Sequence, residues 1–146
     1  MRINLTNNIV ILSKKVDGNY PDTKRLIPST FAAKVVIDSN KMLNYHKELN
    51  DLSSEKQCIV DLDLKQNTLC LDNPTIDYSI SIENDLMENS FNDTISYDCK
   101  YMIDILENLI GDISINLQGG VNGKLKPMII KDGGNSEYIL LPVRRY

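Results

Sequence analysis

The sequence predicts an α+β fold in which two helices pack on antiparallel sheets. Three observations support this prediction: short alternating strand patterns, two helical stretches, and a repeated order of elements. Each repeat consists of a strand, a helix and then three strands, and each helix follows a strand that ends in Asp. This order indicates a weak internal duplication, visible in the pattern rather than in residue identity. Two such units would pair their strands into sheets and cover them with the helices.

Alternation of apolar and polar residues marks the candidate strands. A period of two is expected where one face of a strand is buried. The predicted strands are 9–16, 31–38, 58–64, 67–72, 75–83, 93–98, 112–118, 125–132 and 137–143. The short connection at 66–68 predicts a hairpin, and turn residues separate the last three strands. Asp61 and Asp63 alternate with leucines, so we expect them on the solvent side of a strand.

Two segments have helical periodicity instead. The first, 39–52, begins with Ser39, which is a residue type that commonly serves as an N-cap. The second, 98–111, is the stronger prediction because apolar residues recur along it at helical spacing. Asp98 can cap this helix, and Gly111 can end it.

Length and composition indicate a globular protein. The chain has 146 residues, which suits one domain or two small repeats that share a core. It contains no apolar run long enough to span a membrane and no signal-peptide pattern at its start. The odd cysteine count and the absence of CxxC spacing predict that Cys58 and Cys70 are buried free thiols. These features favour a reducing compartment, and we expect the cytoplasm.

Charge and composition disfavour two functional classes. The formal net charge is −4, whereas a protein that holds DNA by broad phosphate neutralisation is basic. His46 is the only histidine and is expected to be exposed, so no nucleophile–base set assembles and a small hydrolase is disfavoured. We expect no catalytic residues, no metal and no cofactor. Residues 119–124 lack the spacing of a phosphate-binding loop and predict a hairpin turn.

Three phrases of the sequence, taken in order, resemble one protein family. They are VDGNYPDTKRLIP (16–28), SYDCKYMIDIL (96–106) and YILLPVRRY (138–146). Together with the doubled unit, they are similar to the bacterial DNA polymerase III β subunit, the sliding clamp. The resemblance covers the whole chain but only the last part of the family. It implies that residues 1–28 are the trailing segment of a preceding clamp module and that 29–146 are the C-terminal clamp domain.

The resemblance implies a ring-shaped homodimer whose helices surround duplex DNA and whose sheets form the outside. It implies no catalysis: the family confers processivity by tethering DNA polymerase III and repair proteins to DNA, with a clamp loader as a further partner. This chain lacks modules that a ring needs. We therefore expect a monomer from this chain alone, with DNA contact only as part of a ring. Lys41 and Lys47 are the candidate DNA-facing residues.

The resemblance also implies a pocket in this module for Gln-Leu-x-Leu-Phe-like peptides of partner proteins. Its implied residues are Pro21, Arg25, Leu26, Asp98, Tyr101, Leu125, Pro127, Ile139, Leu141, Pro142, Val143 and Arg144. Their chemistry suits a short peptide, since aliphatic residues supply an apolar floor and prolines stiffen a rim. The tyrosine offers a ring and a hydroxyl, and the arginines can bond a carbonyl or carboxylate. From the pattern alone, either Ile139 and Leu141 or the alternating Leu140 must face the core.

Two hypotheses for the biological role stay open at the level of sequence. The first is that the chain is the C-terminal domain of a sliding clamp. The second is a freestanding truncated homologue that binds the same peptides as a competitor or adaptor without encircling DNA. The first predicts ring-sized dimers once the missing modules are supplied. The second predicts a soluble monomer that inhibits clamp loading or replication.

Overall fold

The computed structural model describes residues 2–4, 10–14, 18, 27–65, 68–83, 88–134 and 136–144. The helices are α1 (Ser39–Leu52) and α2 (Cys99–Leu106), and a 3₁₀ turn occupies Gly123–Leu125. The strands are β1 (Arg2–Asn4), β2 (Val10–Leu12), β3 (Ala33–Asp38), β4 (Ile59–Lys65), β5 (Thr68–Asn73), β6 (Tyr78–Glu83), β7 (Glu88–Asn89), β8 (Ile95–Asp98), β9 (Asp112–Leu117), β10 (Met128–Lys131) and β11 (Glu137–Leu140). Within this described part, neither α-helix is long and apolar enough to cross a membrane.

The chain contains two repeats, and the first strand of each repeat pairs in the sheet of the other. The first repeat consists of β3, α1, β4, β5 and β6, and the second consists of β8, α2, β9, β10 and β11, so the predicted duplication is confirmed. One sheet has the strand order β6-β5-β4-β8, and the other has the order β11-β10-β9-β3-β7. Each sheet therefore joins three strands of one repeat to the first strand of the other. The linear pattern does not reveal this exchange.

One core is shared by the inner faces of both sheets and by the two helices. Burial alternates along all six residues of β3. On β4, Val60, Leu62 and Leu64 face inward and are buried. Met42 of α1 and Met102 of α2 are both fully buried in the same cluster. Each such side chain contributes on the order of 1.5–3 kcal/mol by its removal from water.

An aspartate at the end of a strand caps each helix. Asp38 accepts a hydrogen bond from the Lys41 N–H at 2.9 Å, and Asp98 accepts one from the Lys100 N–H at 3.0 Å. Ser39, predicted to be the first N-cap, is instead the first residue of α1 and is buried. That prediction was wrong because β3 runs directly into the helix. Its last residue keeps an extended backbone and therefore occupies the capping position.

Equivalent backbone bonds tie the start of each helix to the other repeat. The Ser39 N–H donates to the carbonyl oxygen of Gly111 at 2.9 Å, and the Cys99 N–H donates to that of Cys58 at 2.8 Å. Gly111 and Cys58 directly precede β9 and β4, so the two bonds occupy matching places. Gly111 has a φ of +78°, a left-handed conformation that glycine adopts at little cost.

The second helix is shorter than the predicted segment 98–111. It ends at Leu106, after which the chain tightens into a turn. The Asn108 N–H donates to the carbonyl oxygen of Ile105, and its side-chain amide donates to that of Asp104 at 2.7 Å. These bonds satisfy carbonyl groups at the helix end and so stop the helix early.

The predicted strands all have counterparts whose ends differ by a few residues, although part of the predicted strand 9–16 lies outside the described residues. The hairpin of β4 and β5 is confirmed, with Lys65 opposite Thr68. Residues 119–124 contain part of a 3₁₀ turn rather than a simple hairpin turn, although β9 and β10 do pair antiparallel. The short strands β1 and β7 were not predicted.

His46 is buried, which contradicts the prediction that it is exposed. Its Nδ1 lies 2.8 Å from the carbonyl oxygen of Met42, and its Nε2 lies 2.7 Å from the Tyr97 hydroxyl oxygen. The prediction was wrong because it was based on the polar residues that flank His46 in the sequence. In the helix, Asn44 and Lys47 lie on exposed positions, whereas His46 shares the inward face with Met42.

Candidate functional site

Nine of the twelve predicted peptide-binding residues lie in the described part of the chain. They occupy the start of α2, the 3₁₀ turn with the residues after it, and β11 with the segment that follows it: Asp98, Tyr101, Leu125, Pro127, Ile139, Leu141, Pro142, Val143 and Arg144. The other three, Pro21, Arg25 and Leu26, lie outside the described residues. The structure therefore addresses the part of the site that the second repeat supplies.

The start of α2 holds one buried and one exposed member of the predicted set. Asp98 is 8% exposed, and its carboxylate accepts from the Lys100 N–H and, at 3.0 Å, from the Gln57 side-chain amide. Tyr101, three residues further on, is 61% exposed. Asp98 thus fixes the first turn of α2, and this turn presents the Tyr101 ring at the surface.

The end of β11 places alternate residues on opposite sides. Leu140 is 4% exposed and belongs to the core, whereas Leu141 is 61% exposed. Ile139 is partly buried on the face opposite to Leu140. The choice that the pattern left open is therefore settled, with Leu140 facing the core.

Ile129 of β10 is an apolar neighbour that sequence reasoning missed. It lies opposite Ile139 in the register of β10 and β11, so both side chains share one face of the sheet. Ile129 is fully buried but is not a member of the core cluster that contains its neighbours Met128 and Ile130. The apolar run at these positions hides the alternation, and only the strand register assigns Ile129 to the outer face.

The segment after β11 crosses from one sheet to the other. The Val143 N–H donates to the carbonyl oxygen of Ser96 at 2.7 Å, which attaches this segment to β8, the edge strand of the sheet β6-β5-β4-β8. Leu125, in the 3₁₀ turn, is 40% exposed and lines the same cavity of about 500 Å³ as Val143. The structure thus brings together two predicted residues that lie far apart in the sequence.

The remaining described members lie close to these residues in the sequence. The Pro127 carbonyl oxygen accepts a hydrogen bond from the Gln118 side-chain amide at 3.0 Å. Pro142 is partly buried, and Arg144 is exposed. An exposed guanidinium at the end of this segment is available to bond a carbonyl or carboxylate of a ligand.

The two predicted DNA-facing lysines lie on exposed positions of α1. Lys41 is exposed in the first turn of the helix. Lys47 forms an ion pair with Glu107, at the end of α2, with 2.8 Å between Nζ and Oε1. The pair links the two helices at the surface. It also means that part of the Lys47 charge is neutralised by the second repeat.

The polar pair of His46 and Tyr97 lies in the interior between α1 and β8. A carbonyl oxygen only accepts, so Nδ1 carries the proton that it donates to Met42, and the Tyr97 hydroxyl donates to Nε2. Burial lowers the pKa of His46 to about 4, although the bond to Met42 partly opposes this shift. Burial likewise raises the pKa of Tyr97. Both rings are therefore neutral at pH 7.

The described cysteines are buried free thiols, which confirms the prediction for Cys58 and Cys70 and adds Cys99. Burial raises the pKa of Cys99, and the neighbouring Cys58 raises it further. A buried thiol with a raised pKa holds little of the reactive thiolate. Cys99 therefore behaves as a core residue.

Two strand–helix–three-strand repeats with exchanged first strands define a module of the DNA-clamp type. In sequence, the chain is 27% identical to the beta sliding clamp of Staphylococcus aureus over 95% of its length. In structure, it matches the DNA polymerase sliding clamp of Bacillus subtilis with a TM-score of 0.78 and 26% identity over 97% of its length. A sliding clamp from Bartonella birtlesii, bound to griselimycin, gives a TM-score of 0.77 at 26% identity over 99%. The chain is thus similar to bacterial beta sliding clamps in both sequence and fold.

The match covers only part of each relative. The chain spans 37% of the S. aureus protein and 38% of the B. subtilis and B. birtlesii chains. No family model matches the sequence. The similarity therefore concerns a partial clamp domain.

Proposed function

We propose that this chain acts as the C-terminal domain of a sliding clamp and binds Gln-Leu-x-Leu-Phe-like peptides on the surface of its second repeat. One observation carries the proposal. Tyr101 and Leu141, at two positions that the resemblance implies for the pocket, are large apolar side chains that are each 61% exposed. Exposed aromatic and aliphatic side chains are typical anchors for a short peptide, since their burial supplies binding free energy.

Neighbouring residues support the same surface. Leu125 and Val143 add apolar lining in one cavity, and Ile139 is backed by the buried Ile129. The bond from Val143 to β8 fixes the segment after β11 without the help of a ligand. A surface that is ordered before binding loses less conformational entropy on binding.

The wider role rests on the clamp fold. Residues 29–146 would form the C-terminal domain, and 1–28 would end the preceding module. Within a complete homodimeric ring, Lys41 and Lys47 would face duplex DNA, and a clamp loader would place the ring. The chain would then be a non-catalytic processivity factor for DNA polymerase III. The griselimycin bound to the B. birtlesii clamp supports the presence of a ligand-binding surface in this class of protein.

Peptide binding can be tested by the fluorescence anisotropy of a labelled Gln-Leu-Ser-Leu-Phe peptide titrated with the full chain. We expect saturable binding that weakens about ten-fold or more in Leu141→Ser and in Tyr101→Ala, the size expected for an anchor residue. Leu52→Ser is the matched control, because Leu52 is also about half exposed but lies at the end of α1.

Two results would contradict the proposal. One is the absence of saturable binding at millimolar protein. The other is equal weakening in Leu52→Ser and Leu141→Ser, which would indicate nonspecific apolar association. Circular dichroism of each variant confirms that the fold is retained, as expected for substitutions at exposed positions.

A further inference from the structure

The cavity shared by Leu125 and Val143 continues into a polar region that the predicted pocket does not include. Besides these two residues, its lining comes from β4, from β8, from the loop before β8 and from the 3₁₀ turn: Asp61, Asn92, Asp93, Thr94, Ser96 and Lys124. Its volume of about 500 Å³ is in the range of sites that accommodate small ligands or a few peptide side chains. The lining of this cavity therefore combines apolar and charged side chains.

Two carboxylates and one ammonium group supply the charge of this lining. Asp61 accepts a hydrogen bond from the Ser96 hydroxyl at 2.6 Å, which holds the carboxylate in place. A Cβ at Gly123 would lie only 2.8 Å from Asp93 Oδ2, so the 3₁₀ turn lies directly against Asp93. The ammonium group belongs to the exposed Lys124.

The negative charge extends beyond the cavity along the outer face of the same sheet. Asp72 lies opposite Asp61 in the register of β4 and β5, and Asp63 is the next outward residue on β4. Burial raises the pKa of Asp72, and the carboxylates of Asp61 and Asp63 raise it further, while Lys65 lowers it. Lys65 pairs with Asp63 at 3.3 Å. We call Asp61, Asp63, Asp72 and Asp93 the acidic strip.

We propose that the two carboxylates of this cavity, Asp61 and Asp93, receive a basic residue of the partner peptide, next to the apolar residues that bind at Leu125 and Val143. This inference rests on the proposed function and specifies the chemistry of the partner. The acidic strip has four carboxylates, against Lys124 in the cavity, Lys65 beside Asp63 and the exposed Arg144 next to Val143, so its net charge is negative and it favours Lys or Arg over Asp or Glu. The shared cavity places this preference directly next to the apolar surface.

The test compares peptides that differ only in the residues flanking Gln-Leu-Ser-Leu-Phe. One set carries a Lys pair at the N-terminal or the C-terminal end, and the matched set carries a Gln pair there. At low salt, we expect about five-fold tighter binding of the Lys peptide at one end, the size of a partly exposed ion pair. Asp93→Asn should remove this difference, whereas Asp51→Asn, the same change at an exposed residue at the end of α1, should keep it.

Each alternative outcome is decisive. Equal affinity of Lys and Gln peptides at both ends would overturn the inference and leave peptide binding intact. A Lys preference that survives Asp93→Asn would overturn the assignment to this cavity. If none of the peptides binds, both the inference and the proposed function fail. Thermal unfolding of Asp93→Asn serves as the control for its fold.

Discussion

The two repeats share their framework but differ in what they present at the surface. Both helices are capped by the last residue of a strand, and both bury a methionine four residues after the cap, Met42 and Met102. At the third residue after the cap, the first repeat exposes Lys41 and the second exposes Tyr101. Capping and burial are thus common to the two repeats, whereas the exposed residue beside each cap differs in chemistry.

A second difference lies inside the core. His46 of α1 occupies the place that Leu106 takes in α2, eight residues after the respective cap. Leu106 needs no polar partner, but His46 requires both Met42 and Tyr97. The buried position in α1 thus depends on a hydrogen bond to Tyr97 of the second repeat, whereas the equivalent position in α2 is apolar.

The largest expected effect tests whether the two methionines are equivalent. Met42→Ala and Met102→Ala should each lower the free energy of unfolding by about 2–5 kcal/mol, because each removes a fully buried side chain from the shared core. Urea denaturation measures both values. A loss below about 1 kcal/mol for one of them would show that the repeats do not contribute equally to the core.

The stability of the protein should depend on pH because the first repeat buries His46 at a position where the second repeat has Leu106. The folded-state pKa of His46 is lowered to about 4, so between that value and 6.5 the unfolded state binds a proton that the folded state does not. Stability is therefore lost as the pH falls through this window, by about 3 kcal/mol in total. Urea denaturation at pH 7 and pH 4 measures this loss.

The control for that effect is the double variant His46→Leu with Tyr97→Phe, which replaces the hydrogen-bonded pair between the repeats by apolar side chains. Carboxylates also titrate near pH 4, so the informative quantity is the difference between wild type and variant. We expect the variant to lose less stability on acidification. Equal losses in both proteins would show that His46 is not the group responsible.

The capping aspartates should have smaller and unequal effects. Asp38→Ala should cost about 1 kcal/mol, the usual value for an N-cap. Asp98→Ala should cost more, on the order of 1–3 kcal/mol, because Asp98 is buried and its loss also leaves Gln57 without this partner. Chemical denaturation decides the order, and Asp98→Asn, which retains capping ability, should recover much of the loss. A larger cost at Asp38 would reverse the comparison.

The smallest expected effect belongs to the ion pair that links the helices. The side chains of Lys47 and Glu107 are about half exposed, so Lys47→Ala should cost less than about 1 kcal/mol, and the cost should shrink in salt. A double-mutant cycle with Glu107→Ala measures the coupling. Coupling of 2 kcal/mol or more would indicate a structural role that exposure does not predict.

Local sequence patterns predicted the elements well but not their arrangement. Alternation revealed β3, β4 and β9, and the spacing of apolar residues revealed both helices. The exchange of β3 and β8 between the sheets is a long-range pairing, which no local pattern encodes. His46 was misjudged for a related reason, since its partner Tyr97 lies 51 residues away in the sequence.

The candidate site shows the same division. The resemblance indicated Tyr101 and Leu141, and the structure shows that both are exposed. It did not indicate Ile129. This buried residue lies on the same face of the sheet as Ile139, and only the pairing of β10 with β11 reveals that position. Asp93 was missed as well, because its place beside Leu125 and Val143 depends on how the 3₁₀ turn packs.

The assignment of peptide binding to the second repeat can be tested by NMR. The experiment follows the backbone amide shifts of the labelled chain during titration with a Gln-Leu-Ser-Leu-Phe peptide. If the second repeat carries the binding surface, the shifts will cluster on Tyr101, Leu125, Leu141 and Val143, and the amide of Lys41 will not move. Shifts that centre on α1 around Lys41, or no shifts at millimolar peptide, would contradict the assignment of peptide binding to the second repeat.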